Sequence, residues 1–333
     1  MTLNEIKTLL SNFPRVELGL NPTPLHRMFN LEQKLGHAPL YVKRDDLNGL
    51  GVGGNKVRNL EFLLGEAISQ GADTVVVSGM LQSNFCSLAA AACRRAKLHC
   101  VIVHNEDVPA KLEGNMILNR LLGAEQRFIG SVDSSVREPY AAKLCGELGR
   151  EGRKAYLIPN GASTAVGCLG YVQMAAELLE QVQADPALAD LKSICVPGGN
   201  GGLAAGTIFG TALLEHPFHV ELISVECTEE ELRGIQQQFW ADLKVLTAVS
   251  PNLTLDEVTT FHNDYRCGGW GLIDDEVVDF LYDFAQTEGF FVEKVYTGKT
   301  LYGMVKLAEQ GYFKQGACFL HSGGIGALFS QFE

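Results

Sequence analysis

The chain has 333 residues, 46% of them hydrophobic and 20% charged, a balance that excludes intrinsic disorder. That length exceeds one usual domain, so two lobes are expected. The formal net charge of −12 argues against nucleic acid or an anionic membrane as partner, because both would repel it, while a small anion held by backbone amides stays possible. At the N-terminus, "MTLNEIKTLLSNFP" carries Glu5 and no long apolar core, so it does not read as a secretory signal. Thr2 and Glu5 instead have capping-box spacing for a short helix. No apolar run reaches a membrane span, and the expected location is cytoplasmic.

From there short β-rich runs alternate with helical ones. "LYVK" (40–43) predicts a strand, and a helix follows over 55–70, with Val57, Leu60, Leu64, Ala67 and Ile68 on one face and Gly71 closing it. Next come a strand at 74–78, a helix over 83–96, a strand at 99–103, helices near 112–122 and 135–149, and a strand at 155–159. The pattern resumes with a helix over 168–183, a strand at 193–197, a helix over 203–214 and a strand at 219–226. Helices near 275–287 and 299–310 precede the last strand, 318–322. Such alternation predicts an α/β fold of parallel sheets covered on both faces. Ligands in these folds sit at the carboxyl ends of strands, which points to the segments just after residues 43, 78, 197 and 320.

Those segments are unusual. "GVGGNKVRNLEFLL" (51–64) puts Lys56 at the seam between a glycine-rich turn and a helix start. It imitates a nucleotide-triphosphate loop, but Asn55 stands where the lysine belongs and Val57 where a metal-binding hydroxyl belongs, so that function is excluded. Gly199, Gly201 and Ala204 fit a dinucleotide fingerprint, with Glu226 ending the next strand; a tight turn without ligand fits equally well. Four glycines within "GGNGG" (198–202) can expose successive N–H groups as an anion nest. Nine cysteines without a C-x-x-C pair read as free buried thiols, and eight histidines form no metal triad. Asp45 and Asp46 are expected in structural ion pairs, and His321 as a packed strand residue. A cofactor with a phosphate and an aldehyde would account for both the glycine loop and Lys56, and pyridoxal 5′-phosphate has both.

"PLYVKRDDLNGLGVGGNKVRNLEFLLGEA", "SGMLQSNFCSLAAA", "VYTGKTLYGM" and "HSGGIGALF" resemble the D-cysteine desulfhydrase and 1-aminocyclopropane-1-carboxylate (ACC) deaminase family of tryptophan-synthase-β-like pyridoxal-phosphate enzymes. The similarity runs in order from "NPTPLHR" (21–27) to "ALFSQ" (327–331). It implies the two-domain fold type II, each domain an open twisted, mostly parallel sheet covered by helices. Residues 59–164 would form a small domain inserted in a large one made of 1–58 and 165–333. Lys56 would join covalently to the cofactor aldehyde. Asn84 would contact the ring's 3′-oxygen, and the main chain of Gly199, Asn200, Gly201, Gly202 and Leu203 would hold the phosphate. Ser322 would face the pyridine nitrogen with Thr297 beside it. Ser83 and Tyr296 would be catalytic groups facing the substrate, with Asn84, Phe85 and Trp270 completing its surroundings. Ser83 also fits a helix N-cap, a role compatible with the first. No metal is implied, the partner is a small amino acid, and a homodimer is expected.

Departures from the family pattern narrow the activity. Phe85 follows "QSN" where His or Gln is usual, Trp270 replaces a tyrosine of ACC deaminases, and Thr297 replaces their glutamate. "GNGGL" stands for the commoner "GSGGT". Only Tyr296 remains of the three groups that cyclopropane opening is thought to require, so β-elimination from a cysteine-like amino acid to a 2-oxo acid and ammonia is expected, with D-cysteine as leading substrate. L-Cysteate, 3-chloroalanine, D-serine and ACC stay as alternatives. Two other functions are open: a nucleotide-dependent oxidoreductase using 199–204, and a binding protein that keeps the fold without activity.

Overall fold

Continuous apolar runs such as "TVVVS" and "GACFLH" suit strands buried on both faces, and they build two sheets. In the computed structural model, which describes every residue but Ala38 and Glu333, the described strands are β1 (Leu25–Arg27), β2 (Leu40–Arg44), β3 (Thr74–Ser78), β4 (His99–His104), β5 (Glu125–Phe128), β6 (Ala155–Leu157), β7 (Leu191–Gly198), β8 (His219–Ser224), β9 (Thr259–His262) and β10 (Gly316–His321). One sheet has the order β5-β4-β3-β6, the other β1-β2-β10-β7-β8-β9. All pairings are parallel except that of the short edge strand β1 with β2.

Predicted and observed elements agree to within a few residues along most of the chain. Thr2 accepts from the Glu5 amide and Glu5 reaches back to Thr2, completing the expected capping box. Three strands lie outside the sequence pattern. β1, β5 and β9 are edge strands of three or four residues whose exposure gives them no apolar run. The Glu229–Thr247 helix was not expected either, although Thr228 and Glu231 have capping-box spacing at its start.

Helix Lys56–Ser69 is anchored from its buried side. Arg58 donates to Asp45 Oδ1 and Oδ2 at 2.8 Å each and to Glu177 Oε1 and Oε2 at 2.9 and 3.0 Å. Lys43 also pairs with Glu177, while the Tyr171 and Thr23 hydroxyls donate to Asp45 at 2.7 and 2.8 Å. Strand β2, this helix and helix Ala165–Ala184 are thereby tied together. Asp46 pairs with Arg44 at 2.7 Å, so both aspartates are structural. His321 is fully buried: Nε2 donates to the Phe291 carbonyl at 2.8 Å and Nδ1 accepts from the Gly323 amide at 3.2 Å. All nine cysteines are free, with six of them buried.

Candidate active site

The carboxyl ends of β2, β3, β7 and β10 converge on one cavity of about 650 Å³. The four segments singled out in the sequence all reach it, through Gly54–Lys56, Met80–Phe85, Gly199–Leu203 and Ser322–Gly324. Lys56, Ser83, Asn84, Phe85, Gly199, Asn200, Gly201, Gly202, Leu203, Trp270, Tyr296 and Ser322 are all in its walls.

The turn before Lys56 is built from close backbone approaches. Gly53 has φ +75° and a Cβ there would lie 1.7 Å from the Asp46 carbonyl oxygen, so no side chain fits. Gly54 bridges to Gly323, whose own Cβ would fall 2.6 Å from the Gly54 Cα, and the Asn55 amide donates to the Ser322 carbonyl at 2.9 Å. The lysine turn and the Ser322 loop are thus one unit. Lys56 opens its helix, and among the described residues none accepts a hydrogen bond from its Nζ. Burial disfavours the ammonium and lowers its pKa from 10.5 to about 8, against a small opposing effect of Cys168.

Across the cavity, helix Gly202–Leu213 begins with no side chain capping its first turn. Its leading N–H groups, extended by the loop from Gly199, offer an anion cradle backed by the positive end of a twelve-residue helix. Gly201, at φ +90°, leaves no room for a Cβ, which would meet Ile235 at 2.6 Å. A free amine and an unadorned anion cradle in one cavity are the two fixtures that an aldehyde bearing a phosphate needs, so the residues present fit pyridoxal phosphate.

At the head of helix Asn84–Arg95, Ser83 is the N-cap and accepts from the Cys86 amide at 3.3 Å, while it also lines the cavity, so both expected roles are compatible. Asn84 Oδ1 accepts from Asn115 Nδ2 at 2.8 Å. Phe85 is mostly core, buried with Leu88 and Leu60, and presents only part of its side chain to the cavity. Tyr296 lies over Gly199, where a Cβ would be 3.1 Å from its ring. Its hydroxyl accepts from Trp270 Nε1 at 2.9 Å, and burial raises its pKa. Thr297 does not line the cavity: its hydroxyl is engaged with Glu293.

Several wall residues had no signal in the sequence. Glu293 accepts from the amides of Val295, Tyr296 and Thr297 at 2.8, 2.6 and 2.7 Å and so fixes the turn that carries Tyr296. Glu226 borders Gly199 with Oε2 unpartnered, and burial holds its carboxyl above the usual range. Asn160 and Gly161 follow β6 and Glu106 follows β4, so the strand-end rule could have found them; Arg137 follows no motif. His262 lies away from the cavity, bonded to Glu221 at 2.8 Å. Among the described residues no cluster could hold a metal ion, and no helix is long and apolar enough to cross a membrane.

The family model of pyridoxal-phosphate dependent enzymes matches residues 16–323. A protein of Pyrococcus horikoshii named as a putative 1-aminocyclopropane-1-carboxylate deaminase is 36% identical over 329 residues, covering 98% of this chain and 96% of its own. The D-cysteine desulfhydrase of Serratia proteamaculans is 33% identical over 330 residues, covering 96% and 97%. A crystal structure described as an ACC deaminase homologue superposes with a TM-score of 0.88 at 35% identity, covering 98% and 96%. The family match is thus to pyridoxal-phosphate enzymes and not to dinucleotide-dependent oxidoreductases. With the amine, the cradle and the whole-length match in agreement, this chain belongs to the pyridoxal-phosphate dependent enzymes, in the fold type II group that holds these deaminase and desulfhydrase relatives.

Proposed function

We propose that the protein is a β-eliminating lyase acting on a small cysteine-like amino acid, with D-cysteine the leading substrate. The observation that carries this is the unpartnered, pKa-lowered amine of Lys56 facing the same cavity as the open first turn of helix Gly202–Leu213. Lys56 holds the cofactor through its aldehyde, and the amides from Gly199 to Leu203 hold its phosphate. Asn84 is placed for the ring's 3′-oxygen and Ser322 for the ring nitrogen. Pyridoxal phosphate, when bound, supplies the sink for the electron pair left at the substrate α-carbon. A hydroxyl at the ring nitrogen, in place of a carboxylate, favours elimination over transamination.

Each protein group then has a limited task. The amides at the head of helix Asn84–Arg95 receive the substrate carboxylate. Lys56, whose pKa burial lowers to about 8, would remove the α-proton as a neutral amine. Ser83 and Tyr296 stand beside the reacting carbons. The Trp270 N–H engages one lone pair of the Tyr296 hydroxyl and leaves its proton free to point at a departing group. The bond from the β-carbon to sulfur breaks with its pair going to sulfur. D-Cysteine and water give pyruvate, hydrogen sulfide and ammonia.

ACC is disfavoured as substrate, because Trp270 and Thr297 stand where the deaminase pattern has a tyrosine and a glutamate. The division into a small domain of 59–164 and a large one of 1–58 and 165–333 is supported by the sheets: β3 to β6 form one, and all other strands the other. The homodimer and the cytoplasmic location rest on family resemblance alone.

Borohydride treatment of the protein loaded with pyridoxal phosphate, followed by peptide mass analysis, tests the cofactor link: the label should fall on Lys56. Lys56→Ala should abolish pyruvate formation from D-cysteine while the circular dichroism spectrum stays native. Pyruvate production persisting in that variant would remove Lys56 from the mechanism. D- and L-cysteine, 3-chloroalanine, D-serine, cysteate and ACC, assayed side by side, decide the substrate.

A further inference from the structure

Arg137 sits in the first turn of helix Ser134–Arg150, 6% exposed, and lines the cavity. Its Nη1 donates to Asn105 Oδ1 at 2.7 Å, and its Nε is buried without a partner. Among the described residues it forms no ion pair. The carboxylates nearest in sequence or wall position are already engaged by main chain: Asp133 by the Ser135 amide, Glu138 by the Asn160 amide and Glu106 by the Leu81 amide. A desolvated guanidinium with an open donor and no counter-ion is costly unless an anion completes it.

Its place in the wall is on the substrate side. Ser83 Oγ and Cys86 Sγ both lie against Gly79, where a Cβ would meet them at 2.7 and 2.6 Å. His104 bonds the Gly79 carbonyl through Nδ1 at 2.8 Å. Arg137 bonds Asn105, the chain neighbour of His104, and so stands beside this group. Arg137 thus stands by the turn that receives the substrate, whereas the phosphate cradle lies on the Gly202–Leu213 helix of the other sheet. Asn105, which also donates to the Val132 carbonyl at 2.9 Å, holds the guanidinium from behind.

We infer that Arg137 is an anion subsite of the substrate pocket and that it takes a second acidic group, a sulfonate carried on the substrate's β-carbon, which leaves as sulfite with the bonding pair. The inference rests on the lyase function proposed above and, among its candidate substrates, favours cysteate, with an anionic β-substituent, over cysteine, whose β-substituent is a neutral thiol. Asn105 is the positioning residue and Ser134, in the same wall, a further hydroxyl donor.

The test uses ligands that lack an amine and so cannot react with the cofactor. Calorimetric titration of the pyridoxal-phosphate-loaded enzyme compares 3-sulfopropanoate, succinate and butanoate. 3-Sulfopropanoate should bind about tenfold or more tighter than butanoate, while succinate, whose second carboxylate could not leave by β-elimination, reports the effect of charge alone. Arg137→Gln should bring the three to within about twofold, and Arg137→Lys should keep part of the preference. Equal binding of all three to the wild-type protein overturns the subsite, as does a preference that survives in Arg137→Gln. If Arg137→Gln does not fold, the wild-type comparison with Arg137→Lys decides. In the pyruvate assay the ratio of kcat/KM for cysteate over cysteine should fall about tenfold in Arg137→Gln. Pyruvate from cysteine with no dianion preference removes the subsite and leaves the lyase. An Arg137-dependent preference in a protein that makes no pyruvate from any of these amino acids removes the lyase and leaves the subsite.

Discussion

Replacing Arg58 by Met tests what holds the lysine helix in place. Lys43, Arg58, Asp45 and Glu177 carry two positive and two negative charges in a buried cluster, with Asp45 and Lys43 wholly inaccessible. Met fills much of the guanidinium's volume but removes five hydrogen bonds of 2.8 to 3.1 Å and leaves one uncompensated negative charge. Breaking a buried pair in this way costs about 3–5 kcal/mol, a large share of the 5–15 kcal/mol typical of folded proteins. The loss should depend on pH. Burial by itself would raise the carboxyls of Asp45 and Glu177, but Arg58 overrides it and holds both below their usual values. A depressed carboxyl contributes stability that is present above its unfolded pKa and disappears as pH falls through the folded one. Without Arg58 that contribution is lost, so the deficit should be full down to about pH 4, near the unfolded values, and shrink as pH falls below it toward the depressed folded values. Urea midpoints of both proteins at about pH 7 and about pH 3 measure this. A deficit under about 1 kcal/mol at pH 7, or one that does not shrink in acid, would refute the account of the cluster as an obligatory charge pairing.

Covalent loading of the cofactor-free protein with pyridoxal phosphate needs the neutral amine of Lys56. Its rate should therefore rise with pH and level off above about 8, where burial places the lysine pKa; a midpoint near 10.5 would mean the amine is solvated. Trp270→Phe removes the N–H given to the Tyr296 hydroxyl, and kcat/KM for the β-elimination should drop about 2- to 10-fold with folding stability unchanged. An unaltered kcat/KM would separate that hydroxyl from the reaction. Gly53→Ala combines a left-handed φ with a 1.7 Å approach to the Asp46 carbonyl, and it should cost at least about 1–3 kcal/mol in thermal unfolding and weaken cofactor retention. A melting temperature equal to wild type would show that the turn can rearrange.

Much of the fold and part of the site were legible beforehand because strand–helix alternation is a local property. Apolar runs, glycine stops and capping pairs placed the central strands and most helices within a few residues, and the strand-end rule placed the ligand among four segments. What stayed hidden has physical reasons. Edge strands such as β5 and β9 are half-solvated and carry no apolar run, so only their pairing with a neighbour makes them strands. Thr297 sits one residue from Tyr296 and still faces away, because Glu293 captures its hydroxyl and turns the helix start. Arg137 belongs to no motif, and its charge becomes informative only when packing strips it of water, leaves its Nε unpartnered and gives it no counter-ion among the described residues. Sequence alone determined which residues could make a lysine turn and an anion cradle, since both depend on glycines and on the local order of the chain. That the two share one cavity, and that an unpaired guanidinium overlooks it, was decided by the meeting of two sheets, because such contacts join residues more than a hundred positions apart.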